Sequence, residues 1–466
     1  MNVMKQFAAV FSFFFLLLFS NVLLQQPAAS ASALEEAKTL VNDYYAGEVT
    51  SEMQNAQTLD ELMSYLDVHS TAYTREEYEG FLQSVDQQTV GIGVVIEKHD
   101  KGVLVSRVIK GGSAESGGIV VGDIITAVDG VDISTATVSE ASSKITGPNN
   151  TQVKLTILKS NGQVVQLTLT RKLFTVENVT SKLLYGNIGY IAFESFSTTV
   201  DREITREYNE LKNLGATSFI VDVRNNGGGY VDAAEKVIGM FPRAKWAYTL
   251  IDSKGEDVIA ANTNNRLRAI FPADTKLLLN GFSASASEML AGALKDQQAA
   301  YLYGTTTYGK GTMQAFFEVA GGEYYIKLTI AEFQSPKGNK IDGIGITPNT
   351  ESDTPLQLAH FQTLTEKLPS YKELSNMENV PTSKTFKITF NKNVKSDLKN
   401  DAVELVELGG DKIDIRLFRN GNKLEVKPVK PLTAGAQYML LIHPTVQTKH
   451  NKMLKNGAYM HITVAK

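Results

Sequence analysis

The first apolar segment of the chain is a run over residues 7–24 that is rich in Phe and Leu. It follows a positive charge at Lys5 and precedes small residues that end in Ala31-Ser32-Ala33. This order is typical of a secretory signal cleaved after Ala31 or Ala33, although the run is also long enough to remain as a membrane anchor. Residues 1–33 are therefore predicted to be a signal peptide or an anchor. Either one predicts an exported chain, secreted or associated with the cell envelope.

The next two segments differ in the period of their apolar positions. Residues 34–88 have apolar side chains at helical spacing among many acids, which predicts a helical N-terminal region. Residues 89–172 contain short β-type runs separated by Gly and Asn-Gly turns, with two short helical stretches between them. This second segment is predicted to be a β-rich domain.

Strands alternate with helices over residues 173–350. Residues 218–223 are apolar apart from Asp222, which fits a strand buried on both faces of a sheet. Residues 351–380 are predicted to be helix and linker, and residues 381–466 read as all-β. The pattern as a whole predicts a multidomain α/β protein with a helical start and a β-rich end.

Composition excludes several kinds of chemistry. The chain has no cysteine, so thiol catalysis, disulfides and thiolate metal sites are ruled out. A net charge of −4 gives no case for nucleic-acid binding by the whole chain. No metal or nucleotide cofactor is expected.

The strongest candidate chemistry lies between residues 280 and 314. Small residues over 281–286 precede a helical pattern, so Ser285 is expected near a helix N-terminus, where backbone N–H groups favour negative charge. A serine nucleophile needs a base. The six histidines avoid every Gly-rich break, whereas Lys310 stands between Gly309 and Gly311. A buried lysine that loses its charge can act as that base, which predicts a Ser/Lys dyad.

Two glycine-rich loops also suggest other functions. Residues 304–310 read G-x-x-x-x-G-K, but Gly311 stands where a nucleotide-binding phosphate loop needs Ser or Thr for magnesium. The loop over residues 224–229 follows a predicted buried strand, but Asp232 breaks the dinucleotide-binding pattern. A glycine loop between a strand and a helix can instead present backbone N–H groups at a fixed point.

The motifs of this region resemble a known family. Asn280, the run SASASE at 283–288 and GKGTMQ at 309–314 are together similar to the signature of the carboxy-terminal processing proteases, the tail-specific Ser/Lys peptidases of family S41. The resemblance implies that Ser285 is the nucleophile, that Lys310 accepts its proton and that Gln314 holds the lysine. It further implies an oxyanion hole formed by the N–H groups of Gly228 and Ala286. Residues 173–350 would then be the peptidase core.

The flanking domains carry weaker resemblances. Residues 89–172 resemble a bacterial PDZ domain, which implies that Gly91, Ile92, Gly93 and Val94 bind the free C-terminus of a protein or peptide substrate. Val120 and Val121 stand where the family commonly has a basic residue and a proline, which puts any coupling between peptide binding and catalysis in doubt. The alternative for this segment is a β-rich domain without a ligand.

Residues 381–466 look like a bacterial Ig-like β-sandwich domain. They hold 15 Lys and Arg against 7 Asp and Glu. This balance indicates either a solvated lysine-rich surface or contact with an anionic cell-wall polymer.

The function expected from the sequence is that of an exported serine endopeptidase that takes substrate tails on a PDZ domain. The alternative is a catalytically silent peptide-binding scaffold on the cell surface. Nothing in the sequence fixes the oligomeric state, and a dimer stays open.

Overall fold

The computed structural model describes residues 28–252, 257–259, 270–395, 398, 401–450 and 452–466. The chain divides into two compact units. One comprises the described part of Met1–Arg75 together with Gln314–Thr329, and the other comprises Glu76–Met313 and Ile330–Lys466. They are called the small and the large unit below.

The small unit begins with one long and two short helices, as the helical spacing over residues 34–88 predicts. Its helices are Ala28–Tyr44, Ser51–Asn55 and Leu59–Ser64, and the strand Thr71–Thr74 follows them. Thr50 and Thr58 cap the N-termini of the second and third helices, so each helix begins directly after its threonine. Ala37, Val41 and Leu62 pack with Ile326 and Leu328 in one apolar cluster. The strands Thr312–Val319 and Tyr324–Gln334, joined by the turn Ala320–Gly322, contribute part of their length to this unit.

The predicted signal or anchor segment falls mostly outside the described residues, which begin at residue 28. Ala31 and Ala33, the two predicted cleavage positions, lie in the helix Ala28–Tyr44. None of the helices that the structure describes is long and apolar enough to cross a membrane.

The large unit starts with a β-rich domain around the segment predicted to be one. Its sheet runs, in spatial order, through Val94–His99, Gly102–Val108, Ile124–Val128, Gln152–Leu158 and Val164–Thr170. Its remaining elements are Arg75–Val85, Gln88–Gly91, Ser113–Ser116, Val131–Asp132, Val138–Ile145 and Lys172–Thr175. Alternate residues of Gln152–Leu158 point into the core, as a half-buried strand requires. Val94–His99 is left at the edge of the sheet.

The second part of the large unit is a sheet covered by helices. Its strand order is Val179–Leu184, Ile188–Phe193, Ser218–Asp222, Lys276–Leu279, Tyr301–Gly304 and Thr350–Glu351. The first pair is antiparallel and the others are parallel. The helices are Val200–Asn213, Val231–Ile238 and Ala286–Asp296, and the strands Thr249–Asp252 and Asp257–Ile259 lie in a second sheet.

The parallel strands decide where a site can form. Ser218–Asp222 and Lys276–Leu279 are buried at every position, which explains their apolar sequences. Parallel strands end at the same edge of a sheet, where open α/β sheets bind ligands. Three loops leave this edge, over residues 223–230, 280–285 and 305–311, and they carry Gly228, Ser285 and Lys310 of the predicted site.

The C-terminal part folds as two packed sheets. The larger contains Lys372–Glu373, Met377–Val380, Val403–Glu407, Lys412–Ile413, Gln437–Ile442 and Ala458–Val464, and the smaller contains Phe386–Thr389, Ile415–Asn420 and Lys423–Pro428. Phe386, Leu424 and Val426 of one sheet meet Leu405 and Leu440 of the other in a shared core. This is the β-sandwich that the sequence predicts.

The outer face of the larger sheet of this sandwich packs on the six-stranded sheet that carries the site loops, and an apolar cluster lies between the two sheets. Val406, Met439 and Leu441 from the sandwich share this cluster with Ile220 and Leu278. The helix Pro355–Glu366, in the segment predicted to be helix and linker, contributes Ala359 and Leu364. The C-terminal domain is therefore packed against one face of the sheet, and the site loops leave the carboxyl edge of the same sheet.

Buried polar groups complete this contact. His360 is fully buried, bonds the Tyr185 carbonyl through Nε2 at 2.9 Å and accepts the Gly409 N–H at Nδ1. Glu404 accepts hydrogen bonds from Tyr185, from Lys412 at 2.9 Å and from His443 at 3.0 Å. Burial lowers the pKa of His360 to about 4. Burial raises the pKa of Glu404, but its hydrogen bonds with His443, Tyr185 and Lys412 outweigh that effect and hold the pKa at about 2.

This contact is expected to weaken in acid. Both folded-state pKa values lie below the ordinary ones, so stability present at neutral pH is lost as pH falls through 6.5–4 for His360 and 4.5–2 for Glu404. Each loss is on the order of 3 kcal/mol. A His360→Gln variant keeps a donor and an acceptor without the titration. Between pH 6.5 and 4.5 the midpoint temperature of thermal unfolding should fall less for this variant than for the wild type. Equal falls in the two proteins would contradict the role given to His360.

Candidate active site

Hydrogen bonds join the three loops at the carboxyl edge of the sheet. Asn225 and Asn280 bond each other twice, through the Asn225 N–H and the Asn280 Nδ2, both at 2.9 Å. The Ala284 N–H donates to the Asn226 carbonyl at 3.1 Å, and the Tyr308 N–H donates to the Ser283 carbonyl at 3.0 Å. The loop over residues 280–285 is thereby held between the other two.

Ser285 lies on a sharp turn at the start of the helix Ala286–Asp296. Its backbone angles are φ 54° and ψ −113°, a conformation that costs a non-glycine residue on the order of 1–3 kcal/mol. A strained turn between a strand and a helix is the geometry that exposes the nucleophile in other serine hydrolases. The turn therefore suits Ser285 to the role predicted for it.

The two neighbouring serines have other roles. Ser283 is fully buried, and its hydroxyl donates to the Val223 carbonyl at 2.7 Å. Ser287 is also fully buried and donates to the Asn226 carbonyl at 2.8 Å. Both hydroxyls tie this loop to the glycine loop. Of the three serines in the run, Ser285 alone is partly exposed.

Glu288 links the predicted nucleophile to the predicted base. Its carboxylate accepts the N–H of Ser285 at 2.9 Å and the N–H of Lys310 at 2.8 Å, both on Oε2. The other oxygen accepts the Thr307 hydroxyl and the Gly309 N–H, each at 2.6 Å. Because the amides of Ser285 and Lys310 share one oxygen, the two backbones must lie side by side.

Glu288 is fully buried. Burial raises the pKa of its carboxyl, and the four hydrogen bonds oppose that rise because they favour the charged form. Glu288 is not among the site residues predicted from the sequence, because an acid in the first turn of a helix ordinarily complements the helix dipole. The sequence does contain one indication of this role. Glu288 lies three residues after Ser285, the position from which a Glu side chain can accept the N–H of the N-cap residue.

The two glycines around Lys310 are required by close contacts. Gly309 has φ 92°, and a Cβ on Gly311 would lie 2.4 Å from the Asp342 nitrogen. The Gly343 N–H donates to the Gly309 carbonyl at 2.9 Å, and the Gly311 N–H donates to the Asp342 carboxylate at 3.1 Å. These contacts fix the backbone of Lys310, whose side chain is partly buried.

The predicted oxyanion donors lie against each other. A Cβ on Gly228 would lie 2.9 Å from the Ser285 Cβ and 3.1 Å from the Ala286 nitrogen. The Ala286 N–H has no acceptor among the residues that the structure describes. The Gly228 N–H donates to Oδ1 of the buried Asn226 at 2.9 Å. Gly228 can therefore serve an oxyanion only by sharing or leaving this hydrogen bond.

A Gly228→Ala variant is expected to lose at least about 100-fold in kcat. Gly228 has φ 111°, and the added Cβ would meet the Ala284 carbonyl oxygen at 2.9 Å as well as Ser285. Displacing one oxyanion donor costs roughly that factor in other proteases. Gly227→Ala is the matched control, because a Cβ added at Gly227 would meet no atom within 4 Å. Comparable losses in both variants, measured with one peptide substrate, would contradict the close fit of Gly228.

Gln314 belongs to the small unit. Its Nε2 donates to the Thr329 hydroxyl at 3.2 Å, and that hydroxyl donates to the Asp67 carboxylate at 3.1 Å. The role of Gln314 beside Lys310 stays a prediction.

The predicted peptide-binding residues form a tight turn before the edge strand Val94–His99. The Ile92 carbonyl accepts the Ala114 N–H, and the Gly93 carbonyl accepts the Ile109 N–H. The N–H groups of Ile92 and Gly93 find no acceptor in the described part of the chain. The turn thus offers two donors next to an unpaired strand edge, the arrangement that captures a terminal carboxylate. Val120 and Val121 are exposed.

Comparison with known proteins supports the resemblance to the carboxy-terminal processing proteases. Family models match at residues 187–352 (peptidase family S41), 81–158 (PDZ domain) and 373–460 (bacterial Ig-like domain). A carboxyl-terminal-processing protease of Synechocystis sp. is 33% identical over 307 residues, which cover 64% of this chain and 71% of that protein. The chain belongs to the S41 carboxyl-terminal processing protease family.

A second relative extends the match over more of the chain. A probable CtpA-like serine protease of Staphylococcus aureus is 30% identical over 408 residues, or 84% of this chain and 76% of that protein. Among solved structures, the photosystem II D1 C-terminal processing protease is 25% identical, with a TM-score of 0.44 over 71% of this chain and 95% of that one. Membership of the family makes this chain a serine-type peptidase.

Proposed function

We propose that this peptidase is an exported endopeptidase that binds the C-terminal tails of proteins through its PDZ domain and cleaves them with Ser285 and Lys310. The observation that carries the proposal is the strained Ser285 turn, whose N–H shares Oε2 of Glu288 with the N–H of Lys310. A strained nucleophile and its base held by one buried carboxylate form a pre-organised pair.

The geometry supports an acyl-enzyme mechanism. The neutral amine of Lys310 takes the proton of the Ser285 hydroxyl as its oxygen attacks the carbonyl carbon of the scissile bond. The negative oxygen of the tetrahedral intermediate lies towards the Ala286 N–H at the start of the helix. Lys310 then gives its proton to the leaving amine, which leaves an ester on Ser285. A water molecule, deprotonated by Lys310, attacks this ester. The second product leaves as a carboxylic acid, and the proton on Lys310 returns to the Ser285 oxygen, which restores the hydroxyl and the neutral amine.

The glycine loop completes the oxyanion site. Its backbone is held by the buried Asn226, which donates from Nδ2 to the Phe193 carbonyl at 3.0 Å and accepts the Gly228 N–H. Preorganised donors such as the Ala286 N–H supply a large part of the stabilisation of a transition state, and the Gly228 N–H adds to it when it shares or leaves its hydrogen bond to Asn226. Reaction at Ser285 therefore needs neither a metal nor a nucleotide.

The proposal of export rests on the sequence, and the proposal of tail binding rests on the PDZ domain. The apolar run over residues 7–24 and the small residues after it support export. N-terminal sequencing of the protein recovered from the culture medium and from the membrane fraction would show a start after Ala31 or Ala33 for a cleaved signal, and an intact N-terminus in the membrane fraction for an anchor.

The test of the function is cleavage of an unstructured protein that ends in apolar residues. The same protein with an amidated C-terminus is the matched control, because it differs only in the terminal charge. We expect cleavage of the free-carboxylate form and weaker binding and cleavage of the amide. Binding without cleavage would favour the silent scaffold, and equal cleavage of both forms would contradict tail recognition.

A further inference from the structure

Three large apolar side chains are exposed around the Ser285 turn. Phe282 is 58% exposed, Tyr308 is 63% exposed and Ile344 is 60% exposed. Isolated apolar residues are common on protein surfaces, whereas grouped ones mark binding sites.

The backbone places these three residues on adjoining turns. Phe282 precedes Ser283, whose carbonyl accepts the Tyr308 N–H at 3.0 Å. Tyr308 precedes Gly309, whose carbonyl accepts the Gly343 N–H at 2.9 Å, and Ile344 follows Gly343. The Ile344 nitrogen would lie 3.1 Å from a Cβ on Gly309. One chain of contacts therefore runs from Phe282, beside the Ser285 turn, through Tyr308 and Gly309, just before Lys310, to Ile344.

The polar groups next to Phe282 are already hydrogen-bonded. Asn280 bonds Asn225 twice, and its Oδ1 also accepts the Phe282 N–H at 3.1 Å. An apolar substrate side chain placed against Phe282, Tyr308 and Ile344 would remove apolar surface from water, which is favourable. A charged side chain placed against the same three residues would lose hydration, which is unfavourable.

We propose that Phe282, Tyr308 and Ile344 form an apolar surface that selects an apolar substrate residue next to the scissile bond. The occupant is a side chain of the substrate peptide, since the surface is continuous with the nucleophile turn. The proposal rests on the proposed function and goes beyond it. It assigns a preference at the cut position, separate from recognition of the chain end by the PDZ domain.

The test uses two sets of peptides with one common apolar C-terminus. In each set, one residue flanking the scissile bond is Leu, Ser or Asp. For the wild type, kcat/KM should favour Leu over Ser or Asp by about 10- to 200-fold in at least one set. Phe282→Ser, Tyr308→Ser and Ile344→Ser should each reduce that ratio roughly threefold or more.

Trp246→Ser is the matched control. Trp246 is 44% exposed, and its backbone N–H donates to Oε1 of Gln297, just beyond the far end of the helix that starts after Ser285. This variant should keep the wild-type ratio, and a reduced ratio in it would overturn the assignment. So would an unchanged ratio in all three surface variants, or no preference in the wild type. Absence of cleavage of every peptide by the wild type would instead count against the proposed function itself.

Discussion

Replacing Ser285 with alanine is expected to lower kcat for peptide cleavage by at least about 10⁴-fold, because neither neighbouring serine can take its place. Ser283 and Ser287 are fully buried and donate to the Val223 and Asn226 carbonyls. Lys310→Met should cause a similar loss, since it keeps the length of the side chain and removes the amine. The double variant should be no worse than either single one, because the two groups act as a unit.

Ser287→Ala separates this effect from general damage to the loop. It removes a buried hydrogen bond of 2.8 Å and should cost about 1 kcal/mol of stability. Its kcat should fall far less than that of Ser285→Ala. Thermal midpoints of all four variants, measured beside their rates, identify any variant that has simply unfolded. A Ser285→Ala protein that still cleaves at a tenth of the wild-type rate would exclude Ser285 as the nucleophile.

Glu288→Gln is expected to lower kcat by roughly 100-fold or more, although the substitution keeps the shape of the side chain. All four partners of the carboxylate donate hydrogen bonds, so an amide nitrogen would face at least one donor without an acceptor. The turn at Ser285 and the backbone of Lys310 would then separate. A misplacement of about 1 Å can cost 100-fold in rate.

Glu235→Gln is the control for Glu288→Gln. Glu235 accepts a hydrogen bond from the Tyr248 hydroxyl at 2.6 Å, and an amide oxygen can keep that bond. We expect near-normal kcat in the control. A positioning role for Glu288 also predicts slower reaction of Ser285 with a serine-directed phosphonate, measured on protein shown to be folded by its thermal midpoint. Normal labelling and normal kcat in Glu288→Gln would contradict it.

Much of the fold follows from local sequence. The helix Val138–Ile145 lies where the spacing predicts it, because Thr137 and Glu140 form a capping box that fixes its start. The buried strand Ser218–Asp222 is recognisable because residues covered on both faces must be apolar.

The rest depends on contacts between distant residues. The strand Val403–Glu407 does not stand out within the all-β segment, because Glu404 and Glu407 interrupt its apolar run. Glu404 is tolerated there only through its bonds with Tyr185, Lys412 and His443. The strain at Ser285 and the four bonds of Glu288 likewise arise from loops far apart in sequence. Periodicity cannot report them.

The most direct test of the Ser285 and Lys310 mechanism is to trap the acyl-enzyme. A slowly deacylated ester substrate is mixed with the protein, the reaction is quenched, and the modified residue is identified by mass spectrometry. The mechanism predicts the acyl group on Ser285 in the wild type, with much slower formation in Lys310→Met and none in Ser285→Ala. An acyl group on another residue, or turnover of the ester by Ser285→Ala at the wild-type rate, would contradict it.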